Sequence, residues 1–251
     1  MLEIENLTKR FGPKTAVSGL SLRVRPGELY AFLGPNGAGK TTTLKCVAGL
    51  LWPTSGRIRV GGHDVHASPV PAKRLLAYVP DQPYLYEKLT GREFLLFIGR
   101  LYGLARDRCV HAVDELLRLF EAEEWADDLA EGYSHGMRQK TVLAAALLHD
   151  PKLLVVDEPM VGLDPASARL VKTVLRQRVA DGAAILMSTH TLSVAEEVAD
   201  RVGIIHRGSL VAEGSPRELQ GSAPRGSLED AFLALTEGAG QQSVASSSSS
   251  T

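Results

Sequence analysis

The stretch Gly34-Pro35-Asn36-Gly37-Ala38-Gly39-Lys40-Thr41-Thr42 decides how this chain folds. It fits the pattern G-x-x-x-x-G-K-[ST], in which glycines allow successive backbone amides to point at a phosphate group. A continuous apolar run, 29–33 (LYAFL), precedes the stretch, and a predicted helix, 40–50, follows it. Because the lysine and both flanking elements fit, we interpret the stretch as a phosphate-binding loop rather than a turn that merely needs glycine.

The residues of this loop have separate expected roles in nucleotide binding. The backbone amides of Gly34 and of Asn36 to Thr42, in the loop that includes Pro35, are expected to hold phosphate oxygens, assisted by the partial positive charge at the N-terminus of the following helix. Lys40 is expected to reach the β and γ phosphates and to take part in catalysis there. The Thr41 hydroxyl is expected to ligate Mg²⁺, which bridges the phosphates and keeps several water ligands.

The composition around the loop is that of an ordinary globular protein. The chain has 251 residues, of which 44% are hydrophobic and 23% charged, so it can bury a sizeable core. Lys and Arg total 28 against 29 Asp and Glu, so the net charge of -1 provides no broad basic surface for nucleic acid. Every uncharged run is shorter than the roughly 20 residues of a membrane-spanning helix. Charged residues also occur within the first 30 residues, where a secretory signal would need an apolar segment. This pattern predicts a cytoplasmic protein.

The hydrophobic pattern predicts an α/β fold. Segments 2–6, 15–24 and 57–60 alternate apolar and polar residues and indicate an N-terminal antiparallel β subdomain. Continuous apolar runs indicate strands of a mostly parallel sheet that is covered on both faces: 29–33, 153–156, 183–187 and 202–205. Helices are predicted at 40–50, 91–102, 108–120, 137–149 and 165–180. With the phosphate loop, this pattern predicts a P-loop NTPase core.

The order of these elements predicts one domain with an insertion. The block from about 88 to 150 is entirely helical and interrupts the alternation of strands and helices, so we expect it to be an inserted helical subdomain. The domain is expected to span residues 1–236 and to include a short linker at 221–226. The serine-rich segment 237–251 has no apolar period and is expected to be a flexible tail.

Two acids, Asp157 and Glu158, directly follow the apolar run 153–156. Ligands gather at the C-terminal ends of parallel strands, and a carboxylate buried there needs a partner. Asp157 is therefore expected to ligate Mg²⁺, and Glu158 is expected to act as the general base that polarises the attacking water. The alternative is that the acid pair only caps a helix.

From about residue 2 to 236, the sequence resembles the nucleotide-binding subunits of ABC transporters. Beyond the phosphate loop and the acid pair, four segments carry the resemblance. Segment 133–140 (YSHGMRQK) resembles the family signature, which is usually LSGGQ, and 162–164 (GLD) resembles its D-loop. Segment 188–190 (STH) resembles its switch-histidine segment, and Phe11 lies where the family stacks an aromatic ring on adenine. The resemblance implies that the nucleotide is ATP, bound with Mg²⁺.

The signature segment also has a physical interpretation. Ser134 and Gly136 precede a predicted helix, so a hydroxyl and backbone amides at its start could hold a γ-phosphate. His135 stands where the family has a glycine, and Met137 where it has a glutamine. The resemblance implies a head-to-tail homodimer or heterodimer of ATP-binding subunits, in which each signature closes over the ATP of its partner.

Three further site residues each have an alternative. The resemblance gives His190 a catalytic role at the γ-phosphate or the attacking water, although a histidine without such context is more often structural. Phe11 would stack on adenine, or pack as a surface aromatic on 15–24. Asp81 aligns with the glutamine of the family's Q-loop and would approach Mg²⁺ through water, unless Gln82, one residue later, has that role.

The predicted helix 91–102 carries an apolar stripe at helical spacing. The stripe, which is expected to pack in the core of the helical subdomain, consists of Phe94, Phe97, Ile98 and Leu101. Leu95, Leu96 and Tyr102 would then lie on other faces and offer apolar surface to a membrane partner.

Together these features predict an ATP-hydrolysing subunit that drives a separate transmembrane permease. The acidic residue at the Q-loop resembles the subset that serves exporters, so export is expected. The protein would lie at the inner face of the cell membrane through its partner, without binding nucleic acid. The alternatives are a soluble regulatory ABC-type ATPase and a nucleotide-binding module without catalysis, against which Lys40, Asp157, Glu158 and His190 argue.

Overall fold

Two β-sheets organise the part of the chain that this computed structural model describes, residues 1–221 and 227–245. The first sheet is antiparallel and contains, in spatial order, β2 (Lys14–Val24), β1 (Leu2–Phe11), β4 (Ser55–Val60) and β5 (His63–Asp64). The second sheet contains, in spatial order, β10 (Ser209–Gly214), β9 (Arg201–His206), β3 (Leu29–Leu33), β8 (Ala184–Thr189), β7 (Leu153–Asp157) and β6 (Leu76–Val79). Its neighbouring strands are parallel except for β10, which pairs antiparallel with β9.

The helices lie between these strands and after them. They are α1 (Lys40–Val47), α2 (Pro69–Arg74), α3 (Gly91–Leu101), α4 (Arg106–Leu119), α5 (His135–Leu147), α6 (Pro165–Ala180), α7 (Leu192–Val198), α8 (Pro216–Gly221) and α9 (Leu228–Ala245). Between β6 and β7 the chain forms α3, α4, α5 and a short 3-10 turn, Ala130–Gly132. The predicted fold class, an α/β core with an antiparallel β subdomain and inserted helices, is confirmed. Over the residues described, no helix combines the length and the apolar character needed to cross a membrane.

Apolar side chains cover both faces of the central parallel strands. Every residue of β3, β7 and β8 is buried. In β3, Leu29, Ala31 and Leu33 belong to one hydrophobic cluster, while Tyr30 and Phe32 belong to another on the opposite face. The first cluster includes residues of α3, α4 and α5, and the second includes residues of α1 and the antiparallel sheet. Burial on both sides therefore explains why these strands are continuous apolar runs.

Helix α3 buries a different face from the one that its apolar stripe predicted. Phe94 is buried and Ile98 half-buried, but the side chains of Phe97 and Leu101 are 39% and 66% exposed, whereas Leu95 is fully buried. The prediction for Phe97, Leu101 and Leu95 is therefore wrong.

The reason lies in the contact between α3 and α4. A β-carbon on Gly99 would lie 2.3 Å from the Sγ atom of Cys109, so this glycine allows α4 to approach α3 closely. Leu95 lies one turn before Gly99 on the same side of the helix and is buried with it. Because α4 packs against the side of α3 that carries Gly99, part of the apolar stripe, Phe97 and Leu101, is left exposed to solvent.

The C-terminal helix α9 reaches into the segment that was expected to be a flexible tail. It continues to Ala245, beyond the boundary expected at residue 236. The rest of the predicted tail, 246–251, and most of the predicted linker, 222–226, lie outside the described residues.

Gly203→Ala is expected to destabilise the fold by about 2–3 kcal/mol, the upper range for forcing an extra methyl into a packed core. Gly203 lies on β9 beside β3, and a β-carbon there would come within 2.0 Å of the Tyr30 hydroxyl oxygen, which is fully buried. Denaturant unfolding measures the loss.

Two variants serve as controls for this prediction. Gly132→Ala should have little effect, because nothing lies within 4 Å of its β-carbon position. Tyr30→Phe, which removes the hydroxyl, should recover part of the stability lost in Gly203→Ala. Equal stability of the Gly203 and Gly132 variants would contradict the prediction.

Candidate active site

A cleft of about 470 Å³ opens at the C-terminal edge of the parallel sheet. The residues that line it come from the β1–β2 hairpin, the phosphate loop with the start of α1, and the segments after β6 and β7: Phe11, Lys14, Ala16, Pro35, Asn36, Gly37, Gly39, Lys40, Thr41, Thr42, Asp81 and Glu158. The structure thus brings most of the sequence-predicted site residues into one cleft, in a volume suited to a small ligand.

Close backbone approaches explain the glycines of the phosphate loop. A β-carbon on Gly34 would lie 2.5 Å from the carbonyl oxygen of Ile205, and one on Gly39 would lie 2.5 Å from that of Ala16. Gly39 also has a φ of 110°, a conformation that other residues rarely adopt. The loop therefore packs closely between β9 and β2, and α1 begins directly after it.

The Lys40 ammonium lies inside the loop. Its Nζ atom donates to the carbonyl oxygen of Gly34 at 2.6 Å and lies 3.4 Å from Oε1 of Glu158. The side chain is buried, so its charge acts in a region of low dielectric, where electrostatic attraction to an anion is strong. The ammonium lies where phosphate oxygens in the cleft would meet it.

Asp157 is a fully buried acid at the end of β7. Ser188 Oγ donates a hydrogen bond to its Oδ1 atom, while Oδ2 is buried and has no hydrogen-bond partner among the described residues. Burial raises the pKa of Asp157, the hydrogen bond from Ser188 and the nearby Thr41 hydroxyl lower it, and the charges of Asp81 and Glu158 raise it further. These contributions show that Thr41 and Asp81 lie near the carboxylate.

The arrangement fits the donor set that Mg²⁺ prefers. In nucleotide sites this ion is held by one or two carboxylates together with a hydroxyl, phosphate oxygens and water. The unpaired Oδ2 atom of Asp157, with Thr41 and Asp81 nearby, provides such donors. Within residues 1–221 and 227–245, no group of three or more His, Cys, Asp or Glu side chains could hold a metal ion without other ligands.

Glu158 lies between two groups that fix its carboxylate. Its Oε1 atom lies 3.0 Å from Nδ1 of His190 and its Oε2 atom accepts from the His190 backbone amide at 3.3 Å, while Lys40 lies on another side. The backbone of Glu158 has a φ of 49°, an uncommon conformation for a residue with a side chain. The carboxylate can accept a proton at a defined position beside the phosphate loop.

Phe11 and Asp81 both line the cleft. The Phe11 side chain is 47% exposed, and the Lys9 ammonium lies 4.9 Å from the centroid of its ring. An exposed ring at this edge can stack on a planar base. Among the described residues that line the cleft, Asp81 is present and Gln82 is not, so the geometry favours Asp81 over Gln82.

The signature residues do not line this cleft. Ser134 caps α5, where its Oγ atom accepts from the backbone amide of Met137 at 3.2 Å. His135 packs on the loop after β7: its Nε2 atom lies 3.0 Å from the carbonyl oxygen of Val161, and its ring contacts Gly162. Within one chain, Ser134 and Gly136 are therefore not brought together with Lys40.

Two polar residues at the site were missed by sequence analysis. Lys14 lines the cleft because it pairs with Phe11 across the β1–β2 hairpin. Ser188 contacts Asp157 because the two residues are partners in neighbouring parallel strands. The hairpin turn was a usable signal for Lys14, whereas the register of β7 against β8 leaves no local mark in the sequence.

Asp157→Asn is expected to stabilise the nucleotide-free protein by about 1 kcal/mol at neutral pH, because it removes a buried charge. Folding raises the pKa of Asp157, so the ionised carboxylate opposes folding at any pH above the folded-state pKa. The advantage of the variant should therefore shrink as the pH falls through that pKa. Denaturant unfolding at neutral and mildly acidic pH measures both effects.

Asp164→Asn is the matched control for this prediction. Asp164 caps α6, and hydrogen bonds from Ser167 and Ala166 hold its pKa below the usual value, so its carboxylate favours folding. Its replacement should not stabilise the protein. An equal gain in stability for both variants would contradict the account of Asp157.

Comparisons with known proteins show which family this sequence matches. Residues 17–161 match the sequence profile of the ABC transporter family. The chain is 38% identical over 219 residues to the linearmycin resistance ATP-binding protein LnrL of Bacillus subtilis, a match that covers 87% of this chain and 70% of that protein. It is 41% identical over 218 residues to the Nod factor export ATP-binding protein I of Burkholderia lata, covering 87% and 72%.

A solved structure gives the same result for the fold. The structure of an ATP-binding subunit of an ABC transporter matches with a TM-score of 0.87 and 33% sequence identity, over 94% of this chain and 99% of the solved one.

Proposed function

Because the chain belongs to the ABC transporter family as one of its ATP-binding subunits, we propose that it hydrolyses ATP with Mg²⁺ to drive a separate transmembrane permease. The observation that carries the proposal is the group around Glu158: its Oε1 atom lies 3.4 Å from Lys40 Nζ and 3.0 Å from His190 Nδ1. A base candidate thus lies beside the lysine of the phosphate loop.

We assign the chemistry to these side chains as follows. Lys40 and the loop amides bind the β and γ phosphates, and Phe11 stacks on adenine. Glu158 accepts a proton from the water that attacks the γ-phosphorus, while the bond to the bridging oxygen breaks and ADP leaves. His190 holds the Glu158 carboxylate in place and contacts the γ-phosphate. Thr41 and Asp157, with Asp81 through water, would hold Mg²⁺, which when bound neutralises charge on the phosphates.

The site is proposed to be completed by a second ATP-binding subunit. Ser134 and Gly136 lie at the N-terminus of α5, whose amides and partial positive charge suit an anion, yet they do not line the cleft of their own chain. In a head-to-tail dimer, each of these helix starts would bind the γ-phosphate held by the partner's loop.

An exposed aromatic patch is proposed as the contact for the permease. The patch consists of Tyr84, Tyr86 and Phe97. The centroid of the Tyr86 ring lies 5.9 Å from that of Tyr84 and 5.7 Å from that of Phe97. Exposed apolar clusters of this kind mark interaction surfaces. The patch follows Asp81 closely in the sequence, so a permease bound there would be connected directly to the nucleotide cleft. Through this contact the protein would lie at the inner face of the membrane.

Export is the direction of transport that the relatives support. Two of them are an export protein and a resistance protein by name. We extend that direction to this chain, since the acidic residue at position 81 gives the same expectation. The relatives' names lend no support to a regulatory ATPase without a permease.

Two measurements on the full chain test the proposed function. Phosphate release from ATP should require Mg²⁺ and should be lost in Lys40→Ala, which removes a phosphate contact. Affinity purification from detergent-solubilised membranes should recover a protein with several membrane spans. Failure to recover any such membrane protein with a chain that does hydrolyse ATP would contradict the transport function, and a wild-type chain without hydrolysis at high concentration would contradict the enzymatic one.

Asp81→Ala is expected to lower permease-stimulated ATP hydrolysis severalfold, and more than it lowers basal hydrolysis. The reason is that Asp81 lines the cleft and directly precedes the segment that carries the aromatic patch. Gln82→Ala is the control and should be milder, because Gln82 does not line the cleft among the described residues. A larger loss for Gln82→Ala would assign the role to that residue instead.

A further inference from the structure

Ser188 is a fully buried polar residue beside the two acids of the site. It lies on β8 directly opposite Asp157 of β7 and is also paired with Phe32 of β3 on its other side. A buried hydroxyl in the middle of a parallel sheet costs free energy unless it is hydrogen-bonded. The partners of this hydroxyl therefore indicate why a serine is compatible with the position.

The Ser188 hydroxyl makes one bond to each acid residue. It donates to Oδ1 of Asp157 and accepts from the backbone amide of Glu158 at 3.0 Å. A hydroxyl has only one proton to donate, so its donor is fully used by Asp157. This bond holds the carboxylate in one orientation, with Oδ2 left unpaired and available to a cation.

We propose that Ser188 is a positioning residue for Mg²⁺: by holding Oδ1 of Asp157, it keeps Oδ2 directed at the ion. The inference rests on the proposed function, since it concerns the magnesium site of that function. Residues that hydrogen-bond to a metal ligand fix the orientation of that ligand. Their removal typically weakens metal affinity or activity about 10–100-fold.

The geometry separates this role from an effect on Glu158. The amide of Glu158 also lies 3.3 Å from the backbone carbonyl oxygen of Ser188, a contact that no side-chain substitution removes. Loss of the hydroxyl therefore leaves Glu158 with a hydrogen-bond acceptor but leaves Oδ1 of Asp157 without a donor. Loss of the Ser188 hydroxyl should therefore affect Mg²⁺ binding through the Asp157 carboxylate.

The test compares nucleotide affinity with and without the ion. Equilibrium binding of ADP is measured with Mg²⁺ and with EDTA for the wild type, Ser188→Ala, Ser188→Cys and Ser188→Thr. The Mg²⁺-dependent gain is the ratio of ADP affinity with Mg²⁺ to ADP affinity in EDTA. We expect this ratio to be about tenfold smaller in the alanine and cysteine variants than in the wild type, with the affinity in EDTA unchanged. The threonine variant, which keeps the hydroxyl, should retain most of the gain. Cysteine preserves the volume and serves as the test if the alanine variant fails to fold.

A double variant tests whether Ser188 acts through Asp157. In the Asp157→Asn background, which lacks the carboxylate, Ser188→Ala should cause no further loss of Mg²⁺-dependent affinity. A full additional loss there, or equal losses in Mg²⁺ and EDTA, would overturn the inference and leave a structural role. A wild-type chain whose ADP affinity ignores Mg²⁺ would instead contradict the proposed magnesium site itself, and the inference with it.

Discussion

Glu158→Gln is expected to slow ATP hydrolysis by about a hundredfold or more while ATP binding stays nearly intact. General-base catalysis contributes roughly 10²–10⁴-fold, and an amide of the same shape cannot accept the proton of the attacking water. Binding should persist because Lys40 and the loop amides are unchanged, and Lys40 loses only the carboxylate 3.4 Å from its ammonium. Phosphate release under saturating ATP and equilibrium binding of ATP measure the two effects separately.

The control for this prediction is Glu115→Gln, which makes the same chemical change on the exposed surface of α4. It should hydrolyse ATP at the wild-type rate. In the proposed head-to-tail dimer, the Glu158 variant should in addition remain dimeric in the presence of ATP, since the nucleotide between the subunits would no longer be consumed. Turnover close to normal in Glu158→Gln would remove Glu158 from the role of base.

Ser134→Arg is expected to reduce hydrolysis by about a hundredfold or more, although Ser134 does not line the cleft of its own chain. Electrostatic stabilisation of the transition state is usually the largest catalytic contribution, and loss of one such donor costs about 10²–10³-fold. A long cationic side chain at the start of α5 would block the approach of a partner's γ-phosphate. Binding of ATP to the isolated chain should be unchanged, as equilibrium binding can show.

Ser134→Asp distinguishes this effect from damage to the helix. Ser134 is the N-cap of α5, and aspartate is an equally good N-cap residue, so the variant should preserve α5 and the stability of the fold. Its negative charge would nevertheless repel a phosphate, and hydrolysis should be lost as in Ser134→Arg. Recovery of activity by aspartate would mean that only the cap matters.

Local signals were sufficient for much of the fold. The apolar run 29–33 predicted β3, the loop at 34–42 marked the start of α1, and the helix predicted at 165–180 coincides with α6. The strand β6 was missed because it has only four residues, and β10 because its residues are partly exposed at the edge of the sheet. The buried face of α3 depends on the contact of Gly99 with another helix, which its own sequence does not show.

The site was predictable where one short segment carries the chemistry. The phosphate loop and the pair Asp157–Glu158 are such segments, and the structure places Lys40 and Glu158 in one cleft. The contact of Ser188 with Asp157 depends on which strands are neighbours in the sheet, which is a tertiary property. The distance of Ser134 from that cleft likewise follows only from the position of the helical insertion.

The most direct test of the composite ATP site is a mixing experiment. Lys40→Ala has a defective phosphate loop and an intact signature, whereas Ser134→Arg has an intact loop and a defective signature. Each variant alone should be almost inactive. In a mixed dimer, one of the two sites combines the intact loop of one chain with the intact signature of the other, so mixing the variants should restore part of the wild-type hydrolysis. No gain on mixing, in samples where mixed dimers are demonstrated, would contradict hydrolysis at a site shared between two subunits.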